Sequence, residues 1–479
     1  MPASAPAERL AARLLSWPLL AAVAAAPSMV ARLRGTSLGW RDTAALFAPV
    51  RPLVTDALRA GRLPLWNPHE ALGKPLLADA LHGVLHPLSI VAALLDPGGV
   101  DLLVALNLIA AALGAFVLAR ELGLARPQAF VAGLAFGLSG FVASMTGNLV
   151  FLAGAASMPW QVAALTAAGR AARFGVPLAA AATAATLLSG DAQVAIVSAA
   201  FGAALAAERG GLRGLARAAG ATLLGGALAS VQVVPTLAAI AQSRRAGGLD
   251  AIERQALALS PWRLLELAVP GMFARLDSLE SVAAARWLGG PWLPGVDLPF
   301  ALSVHLGVPA VALAACAPFR ERRVAVVAGA ATLALWLALG HHADARPALD
   351  GVPIWGAFRY TEKMVAPLSL ALALLAAFGA RTVDGARPVS RRLLAAALGC
   401  VALVVLAALI ASAIRAAPWD AGRALARNLV AGLPYTVAGA AVAAAAAFAP
   451  SPWRAPALAA GVGAALVAAL PFAWVRSPL

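Results

Sequence analysis

Asp42 lies about ten residues beyond the first apolar stretch of this chain, where a carboxylate meets the membrane–water interface. Placed there, it can serve as a general base, taking the proton of a hydroxyl that attacks an electrophilic carbon. The competing reading is an exposed loop Asp paired with Arg41 or Arg51. Asp79 is the second acidic candidate, and His82 and His86 share a face with it if the segment is helical. One Asp and two His at that spacing can ligate a divalent ion, although no further ligand is evident. Asp191, in SGDAQ, is a charge at a membrane edge, costly unless solvated or paired; its plainer role is to cap the helix beginning at Ala192. Arg359 and Lys363, in FRYTEK, stand four residues apart and lie on one face if a helix has begun there. A planar guanidinium beside a point-charge ammonium can hold a phosphate, or both can snorkel to lipid headgroups. Arg244 and Arg245 are second-line cations of the same kind. Trp66 and Asn67 lie between prolines, which favours an ordered loop or short interfacial turns, with Trp66 anchored at the headgroup layer. Trp262, Trp287, Trp292 and Trp355 also fall in loops, where belting the membrane is preferred to stacking on sugars.

Helices crossing a membrane must position these residues. Hydrophobic residues make up 61% of the chain and charged residues only 12%, the balance of a polytopic all-α membrane protein. Apolar stretches read as spans near 13–31, 101–119, 128–145, 150–169, 176–188, 191–207, 215–238, 299–318, 323–340, 363–380, 391–415, 429–449 and 455–474. That makes about thirteen, within a range of roughly 11 to 14. The stretch at 86–95 ends in Asp-Pro-Gly-Gly and reads as re-entrant or interfacial. Lys and Arg total 37 against 22 Asp and Glu, a formal charge of +15. In a soluble chain this excess would raise nucleic-acid binding. Here the arginines cluster at alternate span ends, so the positive-inside rule and anionic lipids account for the charge, and nucleic acid is not expected.

With the N-terminus in the cytoplasm, the loops at 120–126, 170–173, 208–217, 320–323 and 381–392 become cytoplasmic, and all are Arg-rich. The opposite loops carry Asp42, Asn148, Asp191, the 240–298 segment and FRYTEK. Arg9 and Arg13 ahead of the first apolar run read as the flank of a retained helix, because no convincing cleavage site follows. Cys316 and Cys400 fall within predicted spans, with no ligand spacing around them, and read as packing residues. No fixed-period repeat or heptad pattern is present.

The loop segments LFAPV, LRAGRLPLWNPHEALGKPLLAD and GVLHPL, followed in order by SGDAQ, QSRR at 242–245, HLGVPA at 305–310 and FRYTEK at 358–363, resemble the bacterial YfhO-type membrane proteins. Those proteins are placed with the GT-C glycosyltransferases, and the likeness runs through about residue 380. It implies a GT-C-like transmembrane module over 1–380, with a first extracytoplasmic loop at 32–86 and an outer loop at 240–298, then C-terminal transmembrane helices over 381–479.

The implied activity is inverting transfer of a sugar from a polyprenyl-phosphate donor to an extracytoplasmic cell-envelope glycan or lipid acceptor. Asp42, with Asp79 second, would be the catalytic carboxylate. Asp191, Arg244, Arg245, Arg359, Lys363, Trp66 and Asn67 would bind substrate. The implied setting is the bacterial inner membrane, with the active site facing the periplasm or exterior. No cofactor is certain and a divalent metal is possible. The chain departs from the pattern at Thr361, where the family usually shows Pro, and at Asp191, where it often shows His. Rival readings are a lipid or glycan transporter (flippase) and a non-catalytic assembly scaffold. A transporter is disfavoured because the charges gather at one face and the halves do not resemble each other.

Overall fold

A computed structural model describes residues 15–96, 99–247, 249–250, 253, 256–273, 299–344, 358–385, 392–403, 405–406, 420–449, 454–474 and 477–478. The described chain is almost entirely helical. Seven of its helices are long and apolar enough to cross a membrane, and five shorter apolar helices accompany them: Trp17–Leu33, Gly175–Leu188, Ser230–Ala241, Arg392–Leu403 and Pro456–Phe472. The architecture is that of an all-α polytopic membrane protein. Among the described residues, strands occur only as two antiparallel pairs of two residues each, Thr36–Ser37 with Ser477–Pro478 and Trp66–Asn67 with Lys74–Pro75. Two compact units are assembled from separated stretches of chain.

The unit holding residues 21–121 and 145–248 is organised around the helix Leu149–Gly169. It packs against Asp101–Glu121, Gly175–Leu188 and Ala192–Leu228. The last of these is two arms. Gly211 takes φ 57 and ψ −146, and a Cβ on Gly214 would lie 2.1 Å from the Ala206 carbonyl oxygen. Eight residues along an unbroken helix would separate those positions by about 12 Å, so the chain reverses at Gly211. The loop expected over 208–217 is thus compressed into a tight hairpin that only glycine's left-handed freedom permits.

One end of this unit collects the Arg-rich turns. Arg170 pairs with Glu121 at 2.6 Å, Arg209 donates to the Glu121 carbonyl at 2.8 Å, and Arg217 donates to the Gly169 carbonyl at 3.1 Å. The other end carries the long polar loop. Within it the short helices Arg51–Arg59 and Pro87–Leu95 pack together, and Arg59 donates to the carbonyls of Ala93 and Leu94, placing a cation on a helix C-terminus. The segment expected to be re-entrant or interfacial is this nine-residue helix, Pro87–Leu95.

The other unit, mainly residues 122–144 and 249–474, centres on the span Thr361–Val383, most of whose residues are buried. Here one expected span fails. Only Val308–Ala315 of the stretch 299–318 is helical, because Gly307 adopts φ 88 and Pro309 follows at the start of the helix. The irregular backbone before it is satisfied by protein. Gly140 donates to the His305 carbonyl, Leu306 and Gly307 donate to that of Leu267, and Ser303 donates to the Ser144 hydroxyl. Non-helical backbone at membrane depth requires such partners. Arg323 donates to the Leu122 carbonyl at 2.7 Å and Arg381 pairs with Glu321 at 2.6 Å, so this unit also gathers its Arg-rich turns.

Candidate functional site

The polar loop is held on the helix N-termini of its own unit. Trp40 is buried against Gly147, and Arg41 takes a left-handed φ of 52, which turns the chain so that Asp42 precedes the π-helical turn Thr43–Phe47. Half-buried Asp42 accepts a hydrogen bond from Asn148 Nδ2 at 2.6 Å. Asn148 also caps the helix Leu149–Gly169 through its Oδ1. Asp42 is therefore a fixed carboxylate. Arg51, one suggested partner for it, turns to Ser89 instead.

Asp79 caps the turn Ala80–His82 by accepting from the Leu81 N–H. It also pairs with Lys74 at 2.9 Å and lies 3.8 Å from His82 Nε2. Lys74 bridges on to Glu70 at 2.7 Å. Burial works to lower the Lys74 pKa, but the hydrogen bonds and charges of Glu70 and Asp79 prevail and raise it. Burial lowers the His82 pKa despite the nearby Asp79. Asp79, His82 and His86 do not share a helical face. Gly83 is left-handed and ends the turn, and His86 begins the next helix, with its Nε2 3.0 Å from the Ser157 hydroxyl. Burial drives the His86 pKa down to about 4. Among the described residues no group of three or more His, Cys, Asp or Glu is arranged to hold a metal ion.

Asp191 is 3% exposed and caps Ala192–Leu228, its Oδ1 accepting from Val194 N–H. It packs on Gly154 of the central helix. Gly190, at φ 92, lets this turn close on the loop, since a Cβ there would sit 2.2 Å from the Ala80 carbonyl oxygen. The 80–83 turn and the 189–191 turn therefore touch, far apart as they are in sequence. Asn67 is spent internally, accepting from His69 N–H and donating to Glu70, whereas Trp66 is 53% exposed and backed by Gly73.

The second unit contains a charge cluster that the sequence reading passed over. Arg263 donates to Glu362 at 2.5 Å, to Glu266 at 2.7 Å and to the Ala301 carbonyl at 2.9 Å. All three side chains are buried. Burial alone would lower the Arg263 pKa, and the charges of Glu266 and Glu362 raise it instead. The cluster ties together the segments at 261–267, 299–305 and 361–364. Its signal in the sequence was Glu362, a carboxylate at the head of an apolar span and inside FRYTEK.

FRYTEK itself is not a helical face. Tyr360 takes φ 65, so the helix begins only at Thr361, and the four-residue spacing of Arg359 and Lys363 does not align them. Arg359 lies over the Tyr360 ring at 4.8 Å, and buried Lys363 lies 5.9 Å from the Phe358 ring centroid. Arg244 and Arg245 occupy a 3-10 turn, and their side chains lie outside the described residues, as do Trp287, Trp292 and Trp355. Trp262 is 57% exposed.

The chain is similar in fold to ArnT from Cupriavidus metallidurans, whose crystal structure is bound to undecaprenyl phosphate. The TM-score is 0.50 at 15% identity, over 95% of this chain and 77% of that one. The likeness is one of fold. No protein-family model matches the chain, and no curated protein matches it.

Proposed function

We propose that the chain is a YfhO-like GT-C glycosyltransferase that moves a sugar, with inversion, from a polyprenyl-phosphate donor to an extracytoplasmic acceptor of the cell envelope. Support for a transferase comes from the GT-C-type fold, and support for Asp42 as the base comes from its hydrogen bond to Asn148. One Asp42 oxygen accepts that bond, and the carboxylate keeps capacity to take the proton of an acceptor hydroxyl as it attacks the anomeric carbon. Pre-set orientation of the base lowers the entropic cost of reaching that geometry.

Trp66, exposed and backed by Gly73, is a stacking platform for a sugar ring, and Asp79 is the alternate base. Asp191 and Asn67 support the loop through capping and turn bonds rather than touching substrate. Arg359 and Lys363 are assigned to the donor phosphate, each acting from its own backbone segment, with Arg244 and Arg245 in reserve. The Asp42 end faces the periplasm or exterior and the Arg-rich end faces the cytoplasm, as the positive-inside rule requires.

The test is a deletion strain whose polyprenyl-phosphate sugars and envelope glycans are profiled by mass spectrometry. A donor that accumulates on deletion, and is cleared by the intact gene but not by Asp42→Asn, supports the enzyme. Clearance by the intact gene, by Asp42→Asn and by Asp79→Asn alike would mark a scaffold.

A further inference from the structure

Beneath the polar loop, Arg51, His82, His86, Ser89, Asn107 and Ser189 line a cavity of about 20 Å³. That is room for one group the size of a water molecule. Arg51, His86 and Asn107 are only 4%, 3% and 0% exposed, and each keeps one buried polar atom without a hydrogen-bond partner among the described residues. These atoms are Arg51 Nε, His86 Nδ1 and Asn107 Oδ1. The other ends of the same side chains are committed. The two terminal nitrogens of Arg51 donate to the Ser89 hydroxyl and carbonyl at 2.7 and 3.1 Å, His86 Nε2 meets Ser157, and Asn107 Nδ2 donates to the Leu103 carbonyl at 2.8 Å.

Charge makes the cavity unusual. Arg51 meets only neutral partners in those bonds, and among the described residues no carboxylate lines the cavity. A buried guanidinium without a counter-charge is destabilising, and burial alone already lowers its pKa. Among the groups left open here, donors outnumber acceptors when His86 takes the tautomer that accepts from Ser157 through Nε2. Arg51 Nε donates, and Ser89 Oγ, having accepted from Arg51, keeps its own proton to give. His86 Nδ1 donates in the tautomer whose Nε2 accepts from the Ser157 hydroxyl. Of the three unpartnered buried atoms, Asn107 Oδ1 is the acceptor. Among those three atoms a water would find one acceptor for its two protons and would leave the Arg51 charge uncompensated, whereas an anion uses the donors and neutralises the charge. A tetrahedral oxyanion such as phosphate exceeds the space.

We propose that this cavity binds a single monovalent anion of halide size, held by Arg51, Ser89 and His86. The site is independent of the sugar-transfer reading, because none of the three residues is assigned to donor, acceptor or proton transfer.

The experiment uses the full-length protein in detergent. Thermal unfolding is followed in chloride, in bromide and in gluconate, which is too large for the cavity, at constant ionic strength. The midpoint should rise with the logarithm of chloride or bromide concentration and stay flat in gluconate. Crystals grown in bromide should show an anomalous peak beside Arg51. Equal midpoints in chloride and gluconate, or a density peak with no anomalous signal, would mean a water and overturn the proposal. Arg51→Met should abolish the halide dependence. Should that variant fail to fold, Ser89→Ala should raise the half-effective chloride concentration about tenfold, the loss expected for one hydrogen bond to a charged group. An unchanged half-effective concentration in Ser89→Ala would equally overturn the proposal.

Discussion

Asn148 donates to the Asp42 carboxylate at 2.6 Å while its own carbonyl oxygen caps a helix, so one side chain both starts the central helix of its unit and orients a carboxylate 106 positions away. Asp42→Asn keeps the shape and removes the basicity. Transfer should fall by at least about 10²-fold, with donor binding retained. Asn148→Ser keeps a capping residue but loses the reach to Asp42, and should lower the rate about tenfold or more without comparable loss of stability. Steady-state assays with the donor identified by mass spectrometry check both. If Asp42→Asn is harmless, Asp79→Asn is the next variant, and a second harmless result ends the enzymatic reading of this loop.

Orientation is checked by cysteine labelling. Ala45 is exposed beside Asp42, and Arg173 is exposed at the Arg-rich end, while native Cys316 and Cys400 are buried. Ala45→Cys should react with a membrane-impermeant reagent in intact cells with the outer membrane opened. Arg173→Cys should react only after the inner membrane is breached. The reverse pattern would put Asp42 on the cytoplasmic side, away from its proposed acceptor.

The buried Arg263 cluster should dominate the stability of its unit. Removing Arg263 strands Glu266 and Glu362 in a buried site, and breaking a buried pair from one side costs about 3 to 5 kcal/mol. Arg263→Met should therefore lower the unfolding temperature far more than the double variant Arg263→Met with Glu362→Leu, which removes one of the stranded charges as well. Detergent thermal shift separates the two, and equal losses would show that the charges are not coupled.

In halide-free buffer, low pH should destabilise the polar loop. Burial holds the folded pKa of His86 at about 4 against the usual 6.5 of a histidine, so the unfolded chain binds the extra proton first as pH falls. Stability is fully present above about 6.5 and is lost as pH falls toward 4, by about 3 kcal/mol in all. His82, its pKa also lowered by burial, adds in the same direction. His86→Gln should flatten the midpoint-versus-pH curve over that window, and an unchanged slope would remove His86 as the cause.

Arg359→Gln should weaken binding of a polyprenyl-phosphate donor by about tenfold or more, the scale of one charge-assisted contact. The neutral change is chosen, and made at Arg359, because Lys363 is buried and its reversal would act through folding. An unchanged apparent affinity would assign Arg359 to lipid headgroups.

The sequence alone was enough to establish the all-α membrane class, and it also showed arginines clustering at alternate span ends. Apolar run length and the side preference of arginine are local properties, readable without neighbours. It also singled out Asp42, Asp79 and FRYTEK, since charged residues next to spans are rare and costly.

What it did not hold were the facts that depend on φ and on distant partners. Tyr360 at φ 65 broke the expected Arg359–Lys363 face, Gly83 broke the Asp79–His86 face, and Gly307 shortened a span whose composition read as continuous. Helical periodicity assumes an unbroken helix, and a single left-handed residue resets it. Arg263, Glu266 and Glu362 became one cluster only when three separated segments converged, and Asn148 met Asp42 only when the loop closed on the helix beginning at Leu149. Such pairings are chosen by the need to satisfy buried polar groups wherever packing brings them together, and spacing along the chain carries no record of that choice.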